Sequence, residues 1–141
     1  MKIFIPPLGT LLRLTERWTF ELENERRNKS ILQILDVSLI KYFKKNSYGF
    51  GDDGPPPLPV LVFFPAGTIL STDRIYIRRN AKEFDSVTFW IKYCPGKINN
   101  VEIPFKKGKN VARFFAKLED CNRIVADVLP EGSDIYKDHI K

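Results

Sequence analysis

One six-residue pattern occurs twice in this chain. Pro7-Leu8-Gly9-Thr10-Leu11-Leu12 and Pro65-Ala66-Gly67-Thr68-Ile69-Leu70 both read Pro-x-Gly-Thr-x-Leu. Each copy stands just before a run of β-forming residues. Proline fixes its own φ and cannot donate to a ladder, so it ends what precedes it. Gly67 falls where a turn needs a positive φ, which glycine adopts without a steric penalty. A chain that launches strands twice by the same device is constrained to a fold of short strands.

The rest of the chain reads the same way. Residues 3–5 suggest a short edge strand stopped by Pro6-Pro7. Residues 10–14 form the next strand. Trp18-Thr19-Phe20-Glu21-Leu22-Glu23 alternates, which turns Trp18, Phe20 and Leu22 inward. Ser30 reads as a helix N-cap, and Ile31, Leu32, Leu35, Leu39, Ile40 and Phe43 recur at helical spacing as far as Lys44, although Val37 to Phe43 also fits a strand. Residues 46–59, with three glycines and Pro55-Pro56-Pro57, read as a loop and stiff linker. Further strands are expected over 60–64, 69–79, 86–93, 101–105, 111–118 and 122–129, and the tail from Pro130 is polar. The expected fold is therefore mainly β: one domain over 1–141, a compact antiparallel β-barrel or sandwich, SH3-like in one version, with one α-helix.

Composition agrees. Of 141 residues 43% are hydrophobic and 13% aromatic, enough for a packed core and too apolar for disorder. No run approaches the roughly 20 apolar residues of a membrane span, and the N-terminal apolar run is too short for a signal peptide. Cys94 and Cys121 lack metal-like spacing and are expected as reduced thiols of a soluble, cytoplasmic protein.

The net charge is +6. Between Ser86 and Leu118 stand Lys92, Lys97, Lys106, Lys107, Lys109, Arg113 and Lys117 against the single acid Glu102. Side chains alternate across a strand. With Ile75 and Ile77 inward, Arg74, Tyr76 and Arg78 face outward. With Val87, Phe89 and Ile91 inward, Thr88, Trp90 and Lys92 face outward. With Phe114, Ala116 and Leu118 inward, Arg113, Phe115 and Lys117 face outward. Neighbouring strands of this kind make a basic, aromatic platform. It suits a protein partner, for which Tyr, Trp and Arg are common anchors. It also suits single-stranded nucleic acid, whose bases stack on aromatic rings. The competing reading is a covered face, with Trp90 and Phe115 as core and the lysines snorkelling.

Lys106-Lys107-Gly108-Lys109 is a candidate phosphate contact without P-loop spacing, and a solvated hairpin tip explains it as well. Asp52-Asp53 has no third acid nearby to complete a cation site. The only histidine, His139, lies in the tail, which removes most histidine-dependent chemistry. Ser71 and Ser86 have no evident base, and nothing places Asp73 with Glu83. Neither catalysis, a cofactor nor a metal is expected.

The segment Pro65-Ala66-Gly67-Thr68-Ile69-Leu70-x-x-Asp73-Arg74-Ile75-Tyr76-Ile77-Arg78, followed by Phe84-Asp85-Ser86-Val87-Thr88-Phe89, resembles a pattern in small bacteriophage accessory proteins. Ile5-Pro6-Pro7-Leu8-Gly9-Thr10 with Leu14-Thr15-Glu16-Arg17-Trp18-Thr19-Phe20, and Arg113-Phe114-Phe115-Ala116-Lys117-Leu118-Glu119-Asp120-Cys121-Asn122, are similar to it as well. Asn80, where glycine is commoner, and the long Pro-rich loop depart from it. The resemblance implies a phage-encoded, cytoplasmic protein that binds and modulates a host protein, and brings no catalytic residues. The expectation is a non-catalytic binding protein, with a nucleic-acid-binding module or a virion or assembly component as alternatives.

Overall fold

The computed structural model describes residues 7–36, 58–77, 85–103 and 109–130. In chain order the strands are β1 (Leu11–Leu14), β2 (Trp18–Leu22), β3 (Val60–Phe64), β4 (Ile69–Tyr76), β5 (Ser86–Tyr93), β6 (Lys97–Ile98), β7 (Val101–Glu102), β8 (Ala112–Lys117) and β9 (Ala126–Leu129). The helices are α1 (Lys29–Ile34), preceded by a 3-10 turn over Arg26–Asn28, and α2 (Leu118–Cys121). Five strands make one sheet in the order β8-β5-β4-β1-β9, and every pairing given for it is antiparallel. β2–β3 and β6–β7 are separate two-stranded antiparallel sheets, the second a tight hairpin. The fold is mainly β, as the sequence indicates, but no closed barrel forms among the described residues. The five-stranded sheet is open, and the β2–β3 pair packs on its inner face.

The two Pro-x-Gly-Thr turns hold the centre of that sheet. The Gly9 N–H donates to the Thr72 carbonyl at 2.7 Å, and the Thr72 N–H returns to the Thr10 carbonyl at 3.0 Å. At the other end the Gly67 N–H donates to the Leu14 carbonyl at 2.6 Å, and the Leu14 N–H returns to the Thr68 carbonyl at 2.9 Å. The turn that launches β1 thus grips β4, and the turn that launches β4 grips β1. Both glycines have positive φ, 82° and 93°. Each turn also closes on itself, with the threonine N–H bonded to the proline carbonyl three residues back. Between the turns Leu12 pairs with Leu70, both inward and buried.

The core lies between that sheet and the β2–β3 pair. β2 alternates as its sequence demands, so Trp18, Phe20 and Leu22 are buried, with Val62 and Phe64 opposite them on β3. They meet Phe89 of β5 and Phe114 of β8. Trp18 stacks on Phe20 at 4.2 Å between centroids, and Phe64 meets Phe114 edge-on at 5.0 Å. Such pairs add about 0.5–1.5 kcal/mol each beyond the area they bury. The Trp18 indole N–H donates to the Asp120 carbonyl at 3.1 Å, which anchors α2.

Four elements depart from expectation. The helix begins at Lys29, not at a Ser30 cap, and within the described residues ends at Ile34 with Leu35 as its C-cap, after which Asp36 takes a positive φ of 57°. Residues 37–44 of its expected span lie outside the described residues, as do the edge strand at 3–5, residues 46–57 of the loop and 131–141 of the tail. β4 ends at Tyr76, and Ile77 is exposed, not inward. Residues 97–102 form a two-residue hairpin turn at Asn99-Asn100, both at positive φ as a type I′ turn requires. The last strand starts at Ala126 because α2 and its exit turn occupy the residues before it.

The turns make a direct prediction. A Cβ at Gly9 would meet nothing within 4 Å, whereas one at Gly67 would stand 3.0 Å from Cγ of Pro95. Gly9→Ala should cost about 1–2 kcal/mol through backbone strain alone. Gly67→Ala should cost about 2–4 kcal/mol, because overpacking adds to it. Urea unfolding of the two variants measures the difference.

Candidate functional site

Two irregularities of the β4–β5 ladder set the outward face. The register skips Asp73 on β4 and Lys92 on β5. The first bulge lets Thr72 and Ile75 both turn inward while Asp73 and Arg74 stay out, which strict alternation cannot do. The outward rows then run across β4, β5 and β8. Ser71, Trp90 and Arg113 form one row, Arg74, Thr88 and Phe115 the next, and Tyr76, Ser86 and Lys117 the third. The rows therefore bring together six of the eight residues expected there; Lys92 sits at the second bulge, and Arg78 lies outside the described residues.

They do not form an open basic platform. The Arg113 guanidinium reaches over Trp90, 5.9 Å from the ring centroid, and clasps the Asp73 carboxylate through Nε at 3.0 Å and Nη2 at 2.9 Å. The same carboxylate stands 4.0 Å from Arg74. Lys117 is paired with Glu23 at 3.1 Å, and Lys92 donates to Asn110 Oδ1. Glu23 holds the Lys117 ammonium above the ordinary lysine range, chiefly through that hydrogen bond. Phe115 is buried, with Arg27 lying over its ring at 4.1 Å. The covered reading thus holds for Phe115. Trp90 is half-buried, while Tyr76 is 52% exposed.

Phe115 is covered because the free edge of β8 is covered. The buried Asn28 side chain accepts from the Phe115 N–H at 2.9 Å and donates to the Glu23 carbonyl at 2.8 Å. Ser30 Oγ accepts from the Arg113 N–H at 2.9 Å and donates to the Arg113 carbonyl at 3.0 Å. Two side chains stand where a further strand would pair. This explains why Ser30 is not a helix cap: its hydroxyl serves β8. An open edge is a template for unwanted pairing, and polar cover removes it.

Sequence reasoning did not anticipate a cleft of about 520 Å³ lined by Arg17, Phe63, Pro65, Lys97, Asn99 and Asn100. Its signal was the Asn-Asn pair between Ile98 and Val101, a hairpin turn by type. Lys109 of the expected phosphate loop is exposed, and Lys106 and Lys107 lie outside the described residues. Among the described residues no group of three or more His, Cys, Asp or Glu gathers as a metal site, and no helix is long and apolar enough to cross a membrane.

Both cysteines are free and buried. Burial pushes both thiols up, Cys121 most strongly and with Asp120 adding to it; at Cys94 the hydrogen bonds to the Gly96 carbonyl and from the Thr68 hydroxyl oppose the rise.

Two predictions follow from these surroundings. Asn28→Ala strands the buried Phe115 N–H and should cost about 1–3 kcal/mol by urea unfolding. A thiol whose folded pKa is raised stabilises the fold below the unfolded thiol pKa and loses that contribution as pH climbs above it. Stability should therefore fall above about pH 8.5, by up to about 1.4 kcal/mol per pH unit for each thiol. Cys121→Ala should flatten that fall, read as the change in urea midpoint between neutral and alkaline pH. Compared with known proteins, the chain matches no family model, no curated protein and no solved structure, so the face is read from its own residues.

Proposed function

We propose that the protein is a non-catalytic binding module whose outward sheet face docks on a protein partner, with Tyr76, Arg74 and Trp90 at its centre. One observation carries this reading: two of the four described cations of the face are tied to carboxylates of the same chain, while an aromatic ring stands clear. Arg113 is held by Asp73 and Lys117 by Glu23, whereas Tyr76 and its neighbour Ile77 are each more than half exposed. Charges neutralised in place add little pull on a phosphate backbone. An exposed tyrosine beside an arginine and a half-buried tryptophan has the composition of a protein hot spot. The resemblance to phage accessory proteins would make the partner a host protein and the role its modulation, in the cytoplasm of the host.

The nucleic-acid alternative keeps only Arg74 and Lys92 as loosely held cations on this face. Two phosphate contacts give a log–log salt slope of only about −1.4 to −1.8.

The test is retention of a partner from host lysate by the immobilised protein. Retention should survive nuclease treatment and fall at least tenfold with Tyr76→Ala, whose exposed side chain leaves the core untouched. A hot-spot aromatic is worth about 2 kcal/mol or more. Retention abolished by nuclease, or indifferent to Tyr76→Ala, would overturn the reading.

A further inference from the structure

Twelve lysines and arginines fall among the described residues. Arg13, Arg27, Arg74, Arg113, Lys117 and Arg123 each have a carboxylate within 4.0 Å. The other six have none among the described residues, and two of these, Arg17 and Lys97, line the same cleft. Among the described residues no acid lines it. Glu102 is the cross-strand neighbour of Lys97 on the β6–β7 hairpin but lies outside the lining.

The cleft is built rather than incidental. Its floor is fixed by Asn99, whose side chain accepts from the Phe63 N–H at 3.0 Å and donates to the Leu61 carbonyl at 2.8 Å, so the β6–β7 turn is bolted to the free edge of β3. Pro65 lines it from the turn that launches β4, and that turn packs closely against Pro95 at Gly67. The Arg17 guanidinium lies over the Phe63 ring, 5.6 Å from its centroid. A planar cation and an aromatic ring both accept a stacked base. Arg17 and Lys97 supply charge for a phosphate, Arg17 with the fork that reads two oxygens at once. Asn100 leaves an amide at the rim. At about 520 Å³ the space falls within the range of small-molecule sites.

We propose that the Arg17–Phe63–Lys97 cleft binds a nucleoside phosphate, the ring stacked at Phe63 and Arg17 and the phosphate between Arg17 and Lys97. The same chemistry is offered by a free nucleotide and by the phosphorylated end of a nucleic-acid strand. The site is separate from the Tyr76 face and does not rest on the protein-binding reading.

The test is titration of the full ¹⁵N-labelled chain with three probes: a nucleoside monophosphate, a short 5′-phosphorylated single strand and inorganic phosphate. The monophosphate or the strand should shift the amides of Phe63, Lys97, Asn99 and Asn100 saturably, and at least tenfold more tightly than inorganic phosphate. Arg17→Glu and Lys97→Glu, both at exposed positions, should each weaken that binding at least tenfold while leaving the rest of the spectrum in place. Tighter binding of the strand than of the monophosphate assigns the site to a nucleic-acid end, and the reverse to a free nucleotide. Absence of saturable shifts, shifts indifferent to both charge reversals, or equal affinity for inorganic phosphate would overturn the proposal.

Discussion

The architecture hangs on four backbone hydrogen bonds at the two ends of the β1–β4 ladder. Gly9 and Gly67 each donate to the strand that the other's turn launches, and Thr72 and Leu14 return the bond. β4 carries β5, β5 carries β8, and β1 carries β9, so every strand of the main sheet reaches its place through this pair. The arrangement has a local two-fold character in which residue n of the first copy corresponds to residue n + 58 of the second. Gly9 matches Gly67, Thr10 matches Thr68, and Leu14 matches Thr72. Only a residue that tolerates positive φ can bring its N–H to that carbonyl, which is why glycine holds the third position of both turns.

Much of this was legible in the sequence. The repeated turn, the inward alternation of Trp18, Phe20 and Leu22, and the inward set Val87, Phe89 and Ile91 are period-two signals read against a single buried face. What escaped has a common physical character. The bulge at Asp73 changes the phase of alternation inside one strand, and nothing local marks it, because its stabilising partner is Arg113, forty residues away. Ser30 reads as a cap by type, yet its hydroxyl serves a strand edge eighty-three residues on. The described helix is closed by Asp36 turning left-handed, which the spacing up to Leu35 does not announce. Short polar side chains make whichever backbone bond the tertiary structure leaves open, and spacing does not reveal which one that is.

The same logic governs the outward face. Sequence alternation correctly sets Arg74, Trp90, Arg113 and Lys117 on one side of the sheet. It cannot say that Asp73 and Glu23 come to meet them. Charge counted along a chain overstates charge offered to a partner wherever carboxylates from other strands fold onto the same surface. Part of the surplus is left at Arg17 and Lys97, neither of which has a carboxylate within 4.0 Å among the described residues. Side-chain amides and hydroxyls meanwhile close two strand edges: Asn28 and Ser30 along β8, and Asn99 along β3.

The duplicated turn also bears on how copies of the chain meet one another. Two strands launched by the same motif, each fitted to grip the other, are nearly fitted to grip their own likeness in a second molecule. What favours the internal pairing is tethering: β1 and β4 are joined by 54 residues, from 15 to 68, which holds their effective concentration above any dilute intermolecular one. That advantage shrinks as the tether lengthens and as the protein is concentrated. A symmetric clasp is thus a device whose fidelity depends on the length of the chain between its halves.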